Sequence, residues 1–147
     1  MEHGPVVLDT DTLSELSRGN PVVTAHARAY LADFGRLTIT AVTLFERLRG
    51  YRLALRDGKP FEWQLQAFKA LTARCIVLSF DQAAAEVAAH LWSGVTRSQR
   101  QQHIGDILIA AIAISRQLPL VTRNRQDFER IAQPLGIDLR LRDWSKK

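Results

Sequence analysis

The chain has 147 residues, of which 46% are hydrophobic and 24% are charged. This length fits one domain spanning residues 1–147, and this composition is too apolar for a disordered chain. A single cysteine excludes an internal disulfide and a cysteine-rich zinc site, and a net charge of +5 favours polyanionic partners.

The sequence contains no sign of a membrane span or of an export signal. Its apolar runs are all shorter than the roughly 18–20 residues that cross a bilayer. The segment from Met1 to Pro5 lacks the basic stretch followed by an apolar region that begins a secretory signal. We therefore expect a protein of the reducing cytoplasm.

The first part of the chain alternates apolar runs with segments of helical period. Residues 6–8 predict a buried strand, and residues 12–18 predict a short helix. Asn20 followed by Pro21 is typical of a helix start, and this helix is expected to end near residue 34. The other elements expected up to residue 95 are strands at 37–40 and 76–79 and helices at 42–56, 60–73 and 81–95.

The last third of the chain continues this alternation. Residues 96–103 are polar and are expected to form a loop, and residues 106–116 predict a strongly apolar helix that begins at Asp106. A strand at 119–122, a short helix at 126–133 and a weak strand at 137–141 are expected to follow. The pattern predicts an α/β protein with a central parallel sheet of four to five strands covered by helices.

Four of the 15 acidic residues stand where such a fold could bring them to one edge of the sheet. Asp9 ends the first strand, and Glu46 lies in the second turn of the helix after the second strand. Asp106 begins the apolar helix, and Asp127 follows the fourth strand. Clustered carboxylates repel each other unless a cation lies between them, and Mg²⁺ and Mn²⁺ prefer carboxylate oxygens. Such a cluster in a basic protein fits metal-assisted phosphodiester hydrolysis.

Each of these acids also has an ordinary structural explanation. Asp9 could cap the helix that follows it, and Glu46 could form a surface ion pair with Arg49 at i+3. Asp127 could be a first-turn acid favoured by the helix dipole. Asp106 has the weakest such explanation, although it could act as an N-cap. The prediction of a metal site therefore depends on the four acids as a set.

Four segments join an apolar run to an acidic residue. They are Val-Leu-Asp-Thr-Asp-Thr at 7–12, Thr-Ala-Val-Thr-Leu-Phe-Glu at 40–46, Gly-Asp-Ile-Leu-Ile-Ala-Ala at 105–111 and Leu-Val-Thr-Arg-Asn-Arg-Gln-Asp-Phe at 120–128. In this order they resemble the motifs of PIN-domain ribonucleases of the VapC type, the toxins of bacterial type II toxin–antitoxin systems. The resemblance implies a three-layer α/β/α sandwich and a Mg²⁺-dependent (or Mn²⁺-dependent) endoribonuclease.

The resemblance also assigns roles to individual residues. Thr10 and Thr122 match hydroxyl positions beside the site. Some relatives carry aspartate where this chain has Asn124, so the resemblance leaves open whether Asn124 or the acid of the Asp-Phe pair is the fourth site residue. The positions that match catalytic and metal-binding acids are Asp9, Glu46, Asp106 and Asp127.

The family resemblance further implies an RNA substrate, a homodimer and a small antitoxin whose peptide lies in a groove and blocks the acidic site. Residues 42–73 are the candidate groove, although its apolar side chains Trp63, Phe68 and Leu71 are more typical of a core. Basic side chains near the motifs could contact RNA phosphates, or they could simply be solvated. These are Arg97, Arg100, Arg123 and Arg125.

His103 lies three residues before Asp106, but no second histidine accompanies it in a metal-binding pattern. We therefore do not expect His103 to bind the metal.

Two other functions are compatible with parts of the sequence. A haloacid-dehalogenase-type phosphatase also begins with Asp-x-Asp after a strand, as in Asp9-Thr10-Asp11, but no lysine lies between Lys69 and Lys146 to serve its mechanism. A non-catalytic PIN-like domain that only binds RNA or protein is the second alternative. It has no need of an anionic cluster, which argues against it.

Overall fold

Five short strands and eight α-helices alternate along residues 4–147, which a computed structural model describes. Residues 1–3, part of the segment tested for an export signal, lie outside the described residues. The strands are β1 (Val7–Leu8), β2 (Thr38–Thr40), β3 (Ile76–Leu78), β4 (Leu120–Val121) and β5 (Leu141–Arg142). The helices are α1 (Thr10–Ser17), α2 (Pro21–Phe34), α3 (Ala41–Arg56), α4 (Glu62–Thr72), α5 (Gln82–Gly94), α6 (Arg97–Gln102), α7 (Ile104–Ser115) and α8 (Arg125–Ala132).

All paired strands run parallel, which confirms the predicted α/β class. They form a three-stranded ladder in the order β1-β4-β5 and a separate two-stranded ladder of β2 and β3. The predicted central sheet of four to five strands is therefore divided, and its larger ladder has three strands. Strands of two or three residues offer few ladder hydrogen bonds, so β1 lies beside β2 without a hydrogen-bonded register between them in the described chain.

Two hydrophobic cores cover opposite faces of the strands. Successive strand residues point to opposite faces, so Val7 packs into one core and Leu8 into the other. Helices α5, α7 and α8 supply the core around Val7, with Leu91 and Phe128 among its buried side chains. Helices α1, α2 and α4 supply the core around Leu8, which includes Leu13. The molecule thus has the helix–sheet–helix layering that the sequence resemblance implied.

Local side chains define the start of both α2 and α6, although only α2 was expected from the sequence. Asn20 caps α2 by accepting hydrogen bonds from the N–H groups of Val22 and Val23, and Gly35 ends it with a positive φ of 78°. The expected loop at 96–103 is wrong, because α6 occupies most of it. A reciprocal capping box between Thr96 and Gln99 starts this helix, so a polar segment became helical through its own side chains.

Smaller corrections concern the elements on either side of the fourth strand. Helix α7 begins at Ile104, so Asp106 lies within its first turn and does not begin it. The last strand is confined to Leu141–Arg142, whereas residues 137–141 were expected. Within residues 4–147, each helix is either too short or too polar to cross a bilayer.

Candidate active site

The carboxyl ends of the parallel strands form one edge, and the segments after β1 and β4 meet there. Asp9 follows β1 and donates its backbone N–H to the Val121 carbonyl at 3.0 Å. Thr122 follows β4 and donates its N–H to the Arg142 carbonyl at 2.8 Å. The first predicted acid and a predicted supporting hydroxyl are therefore placed on the edge where α/β proteins bind ligands.

Asp9 is buried, with 3% of the residue exposed. Its Oδ1 accepts a hydrogen bond from the Thr12 N–H at 2.8 Å, so Asp9 does cap α1 as the ordinary explanation proposed. The Thr122 side chain also hydrogen-bonds this carboxylate. Burial raises the pKa of Asp9 above its usual value in spite of these hydrogen bonds, which lower it. Asp9 can therefore cap α1 and, because its burial disfavours an isolated charge, also favour a bound cation.

Glu46 points into the protein from α3 and is held by a chain of threonine hydroxyls. The Thr10 hydroxyl donates to Glu46 Oε1 at 2.8 Å. A hydroxyl carries one proton, so the Thr43 hydroxyl donates to Thr10 Oγ1 at 3.0 Å. The Thr40 hydroxyl in turn donates to Thr43 Oγ1 at 3.4 Å. Thr43 was not among the predicted residues, and the repeated spacing of Thr40, Thr43 and Glu46 was the signal for it.

The expected alternative for Glu46, an ion pair with Arg49, is wrong. The Arg49 guanidinium lies 5.3 Å from the ring centroid of Phe45 instead. The carboxylate of Glu46 reaches the start of α7, where a Cβ on Gly105 would overlap its Oε2 and lie 3.1 Å from its Cδ. The second and third motifs therefore meet at Gly105.

Asp106 is the most perturbed acid of the site. Its pKa is raised from 3.8 to about 6, mainly by burial. A hydrogen bond and the charge of His103 lower the pKa, and the carboxylates of Glu46 and Asp9 raise it. Acids from β1, α3 and α7 thus lie within electrostatic reach of one another. Such crowding opposes full ionisation unless a cation is present.

Asp127 joins this cluster from α8. His103, Asp106 and Asp127 each offer one ligand atom, and these three atoms lie within 4.8 Å of one another. Asn124, the other candidate for the fourth position, donates its side-chain amide to Asp11. The donor set of carboxylates and one imidazole fits a divalent cation.

The basic side chains of the predicted RNA-contacting set differ in their surroundings. The Arg100 guanidinium lies 5.5 Å from the Trp92 ring centroid. Arg123 is 3.5 Å from Glu15, and Arg125 is 3.5 Å from its helix neighbour Glu129. Arg97 is exposed at the start of α6. Arg100, Arg123 and Arg125 therefore make weak contacts within the protein, and a bound phosphate would have to replace those contacts.

A groove of about 410 Å³ runs between α3 and α4 and includes Glu46 in its lining. Arg47 and Tyr51 form its wall, where the Arg47 guanidinium lies 5.2 Å from the Tyr51 ring centroid. Trp63 on α4 is 77% exposed, whereas Phe68 is buried as expected for a core residue. The groove therefore joins the acidic site to a partly apolar surface within the predicted segment 42–73.

Comparison with known proteins identifies the family of this chain. The sequence profile of the PIN domain matches residues 6–134. A relative from Shigella flexneri named tRNA(fMet)-specific endonuclease VapC is 34% identical over 111 residues, covering 76% of this chain and 77% of that protein. Ribonuclease VapC1 of Haemophilus influenzae strain R2866 is 27% identical over 95% of this chain and 98% of its own.

Solved structures give the same fold. The DNA-bound VapBC of Salmonella typhimurium matches with a TM-score of 0.71 and 28% identity, covering 95% of this chain and 98% of that one. VapBC-1 of nontypeable Haemophilus influenzae matches with a TM-score of 0.73 and 24% identity, over 97% and 100% of the two chains.

The profile match covers most of the chain, and the Shigella relative is aligned over three quarters of it. The chain therefore belongs to the PIN-domain family. Within that family it is an enzyme of the nuclease class, of the VapC type to which both sequence relatives belong. The class predicted from the four motifs is confirmed.

Proposed function

We propose that the chain is a single PIN domain that acts in the cytoplasm as a Mg²⁺-dependent or Mn²⁺-dependent endoribonuclease, the toxin of a toxin–antitoxin pair. The observation that carries this proposal is the convergence of acids from separate parts of the chain: Asp106 lies within electrostatic reach of Glu46 and Asp9, and one of its oxygens lies within 4.8 Å of a carboxylate oxygen of Asp127. A fold has no reason to hold such a cluster for stability, because each acid raises the cost of ionising the others. The proposed catalytic and metal-binding residues are Asp9, Glu46, Asp106 and Asp127.

The residues around the cluster suit this chemistry. Thr122 and the Thr12 backbone hold Asp9 in one orientation, and Thr10 holds Glu46. When bound, the metal supplies an activated water and neutralises charge on the phosphate. Asp9 is buried and the other three acids are only partly exposed, which limits the screening of their charge by bulk water. Asn124 positions the segment after β4 through its contact with Asp11.

RNA is the proposed substrate because the sequence relatives are named as ribonucleases, one of them specific for tRNA(fMet). The net charge of +5 favours approach of a polyanion. Four guanidinium groups that lie near the motifs in the sequence are proposed to contact phosphates without reading sequence. They belong to Arg97, Arg100, Arg123 and Arg125.

The proposed protein partners are a small antitoxin and a second copy of the chain. The solved relative from Salmonella is a VapBC complex, which supports an antitoxin for this chain as well. We propose that a segment of the antitoxin lies in the groove between α3 and α4 and covers Glu46. Ile76, Val77 and Phe80 are exposed on and beside β3, and such an apolar edge favours a homodimer.

Cleavage of RNA by the purified chain tests the proposed activity. We expect cleavage with Mg²⁺ or Mn²⁺, none with a chelator, and a loss of at least about 100-fold in Asp106→Asn or Asp9→Asn. Asp138→Asn is the matched control, because Asp138 is an exposed acid that precedes β5, at the opposite end of the sheet. Near-normal cleavage by folded Asp106→Asn would refute the assignment.

The cleavage assay and a covalent-trapping experiment separate the two alternatives. A binding-only domain would retain RNA without cutting it under any metal condition. A haloacid-dehalogenase-type phosphatase would instead form a phosphoaspartate on Asp9, which mass spectrometry of the trapped enzyme would detect. Cleavage that depends on the acids and on a divalent ion excludes both.

A further inference from the structure

His103 stands where the family resemblance places no metal ligand, yet it lies against two of the acids. Its Nδ1 is 3.2 Å from Asp106 Oδ2, and one of its ring nitrogens lies within 4.8 Å of a carboxylate oxygen of Asp127. Atoms that share one ion at about 2.0–2.3 Å are about 3 to 4.5 Å apart. The three groups can therefore reach a common ion with only small side-chain rotations.

The backbone of His103 is fixed by the two helices that it joins. Its N–H is donated to the Gln99 carbonyl of α6 at 2.8 Å, and its carbonyl accepts the N–H of Ile107 in α7 at 2.9 Å. The side chain is about one-quarter exposed, so solvent and ions can reach part of it. Helix α6, in the segment expected to form a loop, therefore holds this imidazole beside the acids.

We propose that His103 is a direct metal ligand, and that it makes this site bind Mn²⁺ in preference to Mg²⁺. This inference rests on the proposed metal-dependent function and adds to it the identity of one ligand and of the preferred ion. Mg²⁺ is hard, keeps its waters and is bound mainly through oxygen. Imidazole nitrogen binds the later first-row metals best, and Mn²⁺, the weakest binder of that series, also prefers oxygen ligands. As a first-row transition ion, Mn²⁺ still accepts a nitrogen ligand more readily than the hard, strongly hydrated Mg²⁺ does.

The competing explanation is that His103 only pairs with Asp106. An imidazolium beside a ligand acid would compete with any cation, so its removal would strengthen the binding of Mn²⁺ and Mg²⁺ together. A direct ligand has the opposite effect, and its loss weakens Mn²⁺ much more than Mg²⁺. The ratio of the two affinities therefore distinguishes ligation from pairing, whatever happens to catalysis.

The test is a titration of the full chain with Mn²⁺, followed by the electron paramagnetic resonance of the free ion, and by competition with Mg²⁺. In His103→Ala we expect Mn²⁺ affinity to fall at least about 10-fold and Mg²⁺ affinity to change less than about 3-fold. His103→Asp replaces the nitrogen by oxygen and should shift the preference toward Mg²⁺. His90→Ala, an exposed histidine of α5, is the control and should change neither affinity.

A spectroscopic readout keeps the proposal independent of stability and activity. Pulsed resonance of bound Mn²⁺ should show coupling to a ¹⁴N nucleus in the wild type and in His90→Ala, and none in His103→Ala or His103→Asp. Circular dichroism without metal checks that each variant is folded. Bound Mn²⁺ without nitrogen coupling, or an unchanged ratio of affinities in both variants, overturns the role of His103 alone. Failure of the wild-type chain to bind either ion overturns the proposed function as well.

Discussion

At the scale of single residues, the acids of the site differ in how strongly their surroundings oppose ionisation. Asp9 is buried but is supported by two neighbouring threonines, whereas Asp106 has mainly His103 to offset its burial. Asp106 is therefore the acid whose ionisation the fold itself resists most clearly, since its pKa is about 6. That resistance makes a bound cation favourable and also makes the metal-free protein sensitive to pH.

Removal of this charge should change the pH dependence of stability in the absence of metal. The folded-state pKa of Asp106 is raised, so the folded chain holds the proton more tightly than the unfolded chain. Stability from this group is therefore present below pH 3.8 and is lost as the pH rises through about 6. The full shift corresponds to about 3 kcal/mol, and one-third exposure of the side chain reduces this to about 1–2 kcal/mol.

Denaturant unfolding of wild type and Asp106→Asn with chelator, from pH 4 to pH 7, measures this effect. The free energy of unfolding of the wild type should fall relative to that of the variant by about 1–2 kcal/mol over this range. Asp138→Asn should follow the wild type. A difference between wild type and Asp106→Asn that stays constant with pH would contradict the raised pKa.

Gly105 lies so close to the carboxylate of Glu46 that its substitution should affect catalysis. A methyl group there would overlap Glu46 Oε2, and because that atom ends a flexible side chain, the carboxylate should move rather than the backbone. Gly105→Ala should therefore keep its fold and lose about 10- to 100-fold in RNA cleavage through the displaced acid. Gly50→Ala is the control, because nothing lies within 4 Å of its Cβ position. Full activity of Gly105→Ala would show that Glu46 need not hold its observed position.

At the scale of elements, α3 is positioned by its own first turn. Thr40 caps the helix by accepting the Thr43 N–H at 3.1 Å, and the side chains of both threonines continue to Glu46 through Thr10. The segment that starts the helix therefore also orients its catalytic acid. The sequence resemblance predicted Thr10 and Glu46 but not the link between them, because hydroxyl chains depend on how α1 and α3 pack.

Interruption of this chain should weaken catalysis more than stability. Thr43→Val keeps the shape of the side chain but removes the hydroxyl that donates to Thr10, so Thr10 and Glu46 lose their fixed orientation. We expect RNA cleavage to fall about 3- to 10-fold and the free energy of unfolding to fall by about 1 kcal/mol. Thr43→Ser, which restores the donor, should recover most of the activity. Equal loss in both variants would mean that packing, not the hydroxyl, is what Thr43 contributes.

The elements that were predicted well are those whose ends are coded locally. Asn20-Pro21 and Gly35 delimit α2 because caps and glycine act within a few residues. The segment before α7 is helical despite its polarity, because the Thr96–Gln99 capping pair stabilises the start of α6. This helix matters for the site, since α6 is the element that places His103 next to Asp106.

At the scale of the whole molecule, the alternation of strands and helices was enough to predict parallel pairing and the edge that holds the site. Asp9, Glu46 and Asp106 are brought together as that topology implied. The break between the two ladders was not visible, because it depends on the separation of β1 and β2 in three dimensions. The proximity of His103 and Asp127 also depends on the tertiary fold, since Asp127 lies 24 positions after His103 in the chain.

Because the site acids come from β1, α3, α7 and α8, a bound ion should link both hydrophobic cores and stabilise the entire fold. An ion that binds only the folded state adds about 2.7 kcal/mol at 100 times its dissociation constant. For a domain of this size, that should raise the melting temperature by several degrees, about 5 to 10 °C. Thermal unfolding of the wild type with chelator and with Mn²⁺ measures this shift. Asp106→Asn and Asp127→Asn should lose most of it, and Asp138→Asn should keep it. An equal shift of the melting temperature in all four proteins would mean that the stabilising ion binds elsewhere. Replacement of Asp106 or Asp127 by asparagine would then leave its binding unchanged.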